Sequence, residues 1–372
     1  MSDADDGPRI SNDLAFFGAA VERTAPAWVW LGGVESAYLR HELAAVAIER
    51  PVYVSGLARA GSTVLLELLA RHPAVATHQY RDFPPIFTPA IWDWLRARTP
   101  RRAAAPTARA HNDRILVTET SPEAMEEPLW MHFFSGIHDP SRCNVLDATT
   151  PSDRFRRFYQ DHVAKLLLVR DRSRYVAKSN YSVSRLGLLR AIFPDARFLL
   201  PVRNPIDHVA SLMRQHERFT AAGQRDRRIV RHMRRIGHFE FGLDRRPVNF
   251  GDDDATRRVL ALWRDGEEVR GWAAYWADVY GFLRDALESD PALREAALVV
   301  RYHELCHEPE RLLGDVFAHG ELARTPEDIA GMSARLSAPA YYSAKFSRAE
   351  EQIIRAETRA VADWFGVAEA RA

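Results

Sequence analysis

The sequence predicts an α/β fold, a three-layer parallel β-sheet with helices on both faces. Three observations carry this. Short apolar strands and helical segments alternate from residue 51 almost to the C-terminus. Pro51–His72, PVYVSGLARAGSTVLLELLARH, runs from strand to Gly-bounded loop to helix without a break. The apolar runs also stop on polar groups, at Gly56–Thr63, Lys178, Arg203 and Arg301–Tyr302. A parallel sheet presents such groups at the C-terminal ends of its strands, where ligands bind.

In chain order, residues 1–12 are expected to be disordered, and Leu14–Ala20 and Val34–Glu49 are expected to be helical. Residues 1–50 thus form an N-terminal helical segment before an α/β domain at 51–372. The first strand is Pro51–Ser55. Its helix starts near Ser62, shows Leu65, Leu66, Leu68 and Leu69 on one broad face, and stops at His72-Pro73, because proline disfavours the α conformation before it. Thr77–Pro89 is interrupted by Pro84 and Pro85 and reads as an ordered loop. Trp92 and Trp94 beyond it are expected in the core. Pro100–Thr107 reads as an exposed low-complexity stretch and Ile115–Thr118 as a short strand. Ser121–Glu127 carries a helix-start pattern, with Ser121 as cap and Pro122 in the first position, which turns Glu123, Glu126 and Glu127 to solvent.

Ser152–Arg170 predicts a helix, Tyr175–Lys178 a strand, Tyr181–Phe193 a helix and Arg197–Val202 a strand. Asn204 caps the next helix, which is expected to end near Glu217. A basic run at Arg225–Arg235 and an acidic one at Gly251–Asp254 mark a helical insertion around 218–290. Its long helix, Thr256–Glu288, sets Trp263, Trp272 and Trp276 at helical spacing, as core aromatics are set. Ala297–Val300 is the last strand, followed by helices Glu308–Phe317 and Ser347–Trp364.

Composition narrows the function. The 372 residues are 47% hydrophobic and 27% charged, with net charge +1. Bulk binding to nucleic acid or to a membrane surface is not expected from that balance. Two isolated cysteines, Cys143 and Cys306, make neither a disulfide framework nor a metal cluster. The acidic start MSDADDGPRI lacks a signal-peptide core, and no apolar run is long enough to span a bilayer. A cytoplasmic protein is expected, and the Ala- and Arg-rich composition suggests a bacterial source.

The chemistry centres on Gly56–Thr63. A loop feeding a helix N-terminus aims backbone N–H groups and the helix dipole at one point, which suits an oxyanion. The spacing Gly56-x4-Gly61 is that of a Walker loop, but Ser62 replaces the lysine that would reach a γ-phosphate. Arg59 supplies the basic group instead. Arg203, at a strand end, and Ser211, eight residues later, form a second anion site. Two such sites suit a ligand with two separated anionic groups.

Together GLARAGST and FLLPVRNPIDHVASL resemble the sulfotransferases that use 3′-phosphoadenosine 5′-phosphosulfate (PAPS). The resemblance implies their P-loop NTPase-like fold and a donor site in which Arg59, Ala60, Gly61, Ser62 and Thr63 hold the 5′-phosphosulfate. Arg203 and Ser211 would hold the 3′-phosphate. Lys178, in VAKSN, resembles the lysine that touches the transferring group, and Tyr302, in VVRYHEL, the tyrosine near the adenosine. YYSAKF resembles more loosely a late basic loop, with Lys345 toward the 3′-phosphate. The family's base follows the first helix. Tyr80 lines up with it but departs in type, so Asp82 is the first candidate and His78 the second. The expected reaction is transfer of a sulfuryl group to a hydroxyl or amine of a carbohydrate, lipid or small-molecule acceptor, without a metal. A P-loop small-molecule kinase and a catalytically inactive nucleotide-binding protein remain alternatives.

Overall fold

The computed structural model describes residues 10–99, 107–108, 116–334, 336 and 345–369. Residues 1–9, most of Pro100–Thr107, Ile115 and Tyr341–Ala344 lie outside them. The strands are β1 Val52–Val54, β2 Val75–Ala76, β3 Thr107–Ala108, β4 Leu116–Val117, β5 Arg174–Lys178, β6 Arg197–Val202 and β7 Ala297–Arg301. Five make one sheet in the order β2-β5-β1-β6-β7, with every neighbouring pair parallel, while β3 and β4 pair separately and antiparallel. Register brings the C-terminal ends together: Val54 lies opposite both Lys178 and Leu199, and Val202 opposite Arg301.

Strand alternation splits the core into two layers. Val52, Val54, Val176, Leu199 and Val300 share one cluster with Leu65 and Leu69 of helix Ser62–Leu69 and Leu313 and Phe317 of helix Pro309–His319. Tyr53, Tyr175, Ala177, Phe198 and Leu200 face the other way. Their cluster includes Leu166, Leu189, Val209, Trp276 and Tyr280, from helices Asp153–Arg170, Leu186–Ile192, Pro205–Arg225 and Glu268–Ser289. The three layers expected from the alternation are present.

Several elements differ from expectation for local reasons. The helix after Asn204 runs on to Arg225. The long Trp-rich helix is two, Asp253–Arg264 and Glu268–Ser289, because Gly266 between them takes φ +82°. Trp272, Trp276 and Tyr280 are almost fully buried, so the middle of the chain supplies much of the core. Trp94, expected inside, is 53% exposed, with the Arg98 guanidinium stacked over it at 4.1 Å.

Ser121 starts no helix. The backbone of 119–123 is already paired: Tyr80 donates to the Ser121 carbonyl (3.2 Å), Arg81 to Glu119 (2.8 Å) and Glu123 to His78 (3.0 Å). The helix begins instead at Glu127. Glu126 and Glu127, expected in solvent, are buried.

Candidate active site

The loop after β1 is shaped by two left-handed residues, Arg59 at φ +73° and Gly61 at φ +101°. Gly61 is required for space as well as conformation. A Cβ there would lie 2.8 Å from the Tyr302 ring, and one at Gly56 would lie 2.9 Å from the Pro201 carbonyl. Ser62 is buried at the first turn of helix Ser62–Leu69, with Gly61 as its cap. The loop is thus a backbone cradle pressed against the groups that follow β6 and β7.

Those groups include the predicted second anion site. Arg59 Nε donates to Ser211 Oγ across 3.3 Å, joining the loop to the helix after β6. The Arg203 guanidinium lies 4.6 Å from the centre of the Tyr302 ring, which itself abuts Gly61. Asn204 caps its helix through Ile206 N at 3.0 Å and Asp207 N at 3.5 Å. Its side-chain amide also donates to the carbonyls of Val367 and Ala368, so the C-terminal segment braces this turn. Arg59, Gly61, Arg203, Ser211 and Tyr302 therefore converge, with Ala60, Ser62 and Thr63 on the same loop and helix start.

One residue here escaped the sequence reading. His208 is wholly buried, accepts from Trp276 Nε1 at its Nδ1 (3.1 Å), and lies 2.8 Å from the Ala58 carbonyl through Nε2. With Nδ1 accepting, Nε2 must carry the proton and donate to that carbonyl. Burial is the main cause that drives its pKa down to about 3, and the charges of Arg203 and Arg59 push the same way. His208 is a neutral strut from the tryptophan core to the loop. Nothing in VRNPIDHVASL except the histidine itself signalled this.

Lys178 ends β5 beside Val54 and is mostly buried. Just past it stands a dense polar wall. Glu127 takes both Arg185 nitrogens (2.9 and 2.6 Å) and lies 2.7 Å from His138 Nε2. Burial would raise the Glu127 pKa, but Arg185 and His138 hold it at about 2. Asn180 donates to Glu240 at 2.6 Å, and His238 contacts the same carboxylate. Burial likewise opposes ionisation of Glu240, and His238 overcomes it to leave a pKa of about 2. Both carboxylates are fixed anions that order the chain around Lys178.

His78 and Asp82 follow the edge strand β2. His78 Nδ1 faces Asp82 Oδ2 at 3.3 Å, and its Nε2 lies 3.0 Å from His162 Nε2, so the two rings share one proton. Asp82 also accepts from Gln79 N at 2.9 Å and from Arg170. Burial works to raise the Asp82 pKa, yet His78 and Arg170 together bring it below the ordinary carboxylate range. His162, fully buried, is held neutral by desolvation. Lys345 is exposed just before helix Arg348–Trp364, and most of the YYSAKF segment lies outside the described residues.

Among the described residues no helix is long and apolar enough to cross a membrane. No curated protein sequence matches the chain. Among solved structures it is similar to a sulfotransferase from Mycobacterium tuberculosis H37Rv, at 16% identity and TM-score 0.49, covering 92% of this chain and 86% of that one. A sulfotransferase from Mycobacterium avium is similar at 15% identity and TM-score 0.49, with 91% and 83% covered. One from Alicyclobacillus acidocaldarius follows at 15% identity and TM-score 0.39, with 86% and 97% covered. The model of the Sulfotransferase family matches residues 51–246, more than half the chain and the whole stretch from the β1 loop through Arg203 and Ser211. The chain belongs to the sulfotransferase family.

Proposed function

We propose that this sulfotransferase uses PAPS as donor and transfers its sulfuryl group to a hydroxyl or amine of a carbohydrate, lipid or small-molecule acceptor, in the cytoplasm. The observation that carries the reading is the joining of two anion sites through the Arg59–Ser211 hydrogen bond and the Arg203–Tyr302–Gly61 stack. Their residues fit a donor with two separated anionic ends and a flat ring system lying alongside the loop and Tyr302. PAPS supplies the activated sulfuryl group. Loop N–H groups, Ser62, Thr63 and Arg59 hold the 5′ end, and Arg203 and Ser211 hold the 3′-phosphate. Lys178 faces the charge that grows on the bridging oxygen as the group leaves. No residue has to form a bond to sulfur, so the protein's task is alignment and charge stabilisation.

Of the two candidate bases, His78 suits the role better. Asp82 is bound at both oxygens and is a weakened base, which makes it an anchor for His78. His162 Nε2 lies 3.0 Å from His78 Nε2, the nitrogen left after Nδ1 meets Asp82.

The test is transfer of radiolabelled sulfate from PAPS to a panel of glycans, phenols, lipids and amines, with and without Mg²⁺. Arg203→Ala should weaken donor binding by about 10- to 100-fold, the loss of about 1.5–3 kcal/mol carried by a charged hydrogen bond. Unchanged donor affinity, or γ-phosphate transfer from ATP that depends on Mg²⁺, would sink the proposal.

A further inference from the structure

Helix Ala25–Tyr38 packs Val29 against the core yet also buries its only charge and leaves a broad apolar face exposed. Its one charged residue, Glu35, points inward and is 3% exposed. There it pairs with Lys165 at 3.0 Å and accepts from Ile91 N, and Lys165, with no exposed surface, also donates to the Gly32 carbonyl at 2.7 Å. The opposite face is open and wholly apolar: Pro26, Ala27, Trp30, Gly33, Val34, Ala37 and Tyr38 are all exposed. Trp30 is 69% exposed and Tyr38 84%, and a Cβ built on Gly33 would meet nothing. At 100° per residue these seven side chains occupy a single stripe, and Glu35 lies on the far side of it. A contiguous exposed apolar stripe with a tryptophan and a tyrosine in water marks an interaction surface.

We propose that the partner is a second copy of this chain, docked through the same helix about a two-fold axis near Gly33 and Val34. The stripe is complementary to itself. In an antiparallel pair centred between residues 33 and 34, Trp30 of one copy meets Ala37 of the other, and Val34 meets Gly33. Trp30 and Val34, the large side chains near the axis, thus each fall opposite a small residue, as an isologous contact requires, while Tyr38 lies at the rim of the pairing. The area also suffices. The stripe offers on the order of 600 Å² per copy, roughly 1,200 Å² for the pair, which is the lower end of the range for specific interfaces. The charges argue against a lipid bilayer as occupant. Arg23 and Arg40 at the helix ends are balanced by Glu22 and Glu42, whereas helices that lie on anionic membranes carry a basic rim. The contact is independent of the donor site and of the activity proposed for it.

Sedimentation velocity of the full chain between about 1 and 100 µM tests this, alongside flotation with vesicles of 70:30 phosphatidylcholine and phosphatidylglycerol. Wild type should show a concentration-dependent dimer and no flotation. Val34→Glu and Val34→Lys, each with an unchanged far-UV circular dichroism spectrum because the site is exposed in the single chain, should each be monomeric. Mixing the two should restore the dimer, since their charges then face each other across the axis. A monomer throughout, a dimer that neither variant weakens, variants that fail to recombine, or a monomer that floats with the vesicles overturns the proposal.

Discussion

Replacing His208 with leucine isolates the strut beneath the loop after β1. Leucine is of similar size, so the change is mainly the loss of two hydrogen bonds. The Ala58 carbonyl loses its donor and the Trp276 N–H its acceptor, both in a dry site. At about 1–3 kcal/mol for each orphaned buried group, the variant should lose roughly 2–6 kcal/mol of stability at pH 7. The pH dependence gives a second, independent reading. The folded pKa is about 3 against 6.5 for a free histidine, so below pH 6.5 the unfolded chain takes up a proton that the folded chain refuses. In the wild type this histidine therefore erodes stability as pH falls from 6.5 toward 3. Leucine carries no such penalty. Between pH 7 and pH 5 the gap between the two proteins should narrow by on the order of 2 kcal/mol, one and a half pH units at 1.36 kcal/mol each. Urea unfolding at both pH values measures it. Other buried histidines titrate too, but they are common to both proteins and cancel. His208→Gln, which keeps a donor and an acceptor, should recover part of the pH 7 loss while abolishing the pH-dependent part. A gap of the same size at pH 7 and pH 5 would show that His208 is not the buried neutral strut described here.

Two further perturbations probe the same edge of the sheet. Gly61→Ala places a Cβ 2.8 Å from Tyr302 on a residue at φ +101°, so it should cost about 1–3 kcal/mol in thermal unfolding and weaken donor binding as well. A variant with wild-type stability and affinity would refute the close packing of loop on ring. Glu127→Ala strands the buried Arg185 guanidinium, 1% exposed, and should cost about 3–5 kcal/mol, measured by denaturant titration. A loss under 1 kcal/mol would mean that Arg185 finds another partner.

Much of the geometry around Gly56–Thr63 and Arg203 was legible in the sequence because its signals are local. A strand, a glycine-bounded turn and a helix cap are written in consecutive residues, as at Val52–Leu69 and again at Arg197–Ser211. What brings Arg59 to Ser211 is only the adjacency of β1 and β6, which the order of apolar runs suggests but does not state. The polar wall beside Lys178 was illegible for the opposite reason. Glu126 and Glu127 stand in a pattern that reads as a solvated helix start. Their burial comes from partners more than thirty residues away, Tyr159 and Tyr175 for Glu126 and Arg185 for Glu127. Local reading had no means to weigh Ser121 as a cap against a backbone already paired with residues 78–81. Glu35 and Lys165 are the same case at longer range, a charge whose inward direction is set entirely by a distant helix.

The order of strands also arranges the proposed chemistry along a line. From one side of the sheet to the other, the C-terminal ends carry Tyr302 after β7, Arg203 and Ser211 after β6, the loop after β1, Lys178 after β5, and His78 with Asp82 after β2. On the PAPS reading this is also the order of the reacting parts: adenosine, 3′-phosphate, 5′-phosphosulfate, transferring group, acceptor. The chain crosses between sheet faces several times to build that row, yet each step along it is one strand wide, about 4.8 Å. A donor laid across β7, β6 and β1 therefore has its sulfuryl end beside Lys178, with β2 and the Thr77–Asp82 segment as the remaining side from which an acceptor can come. That segment is tied down by Gln79, Arg170 and His162 rather than by the donor loop. On that reading, donor binding and acceptor choice are built on separate supports.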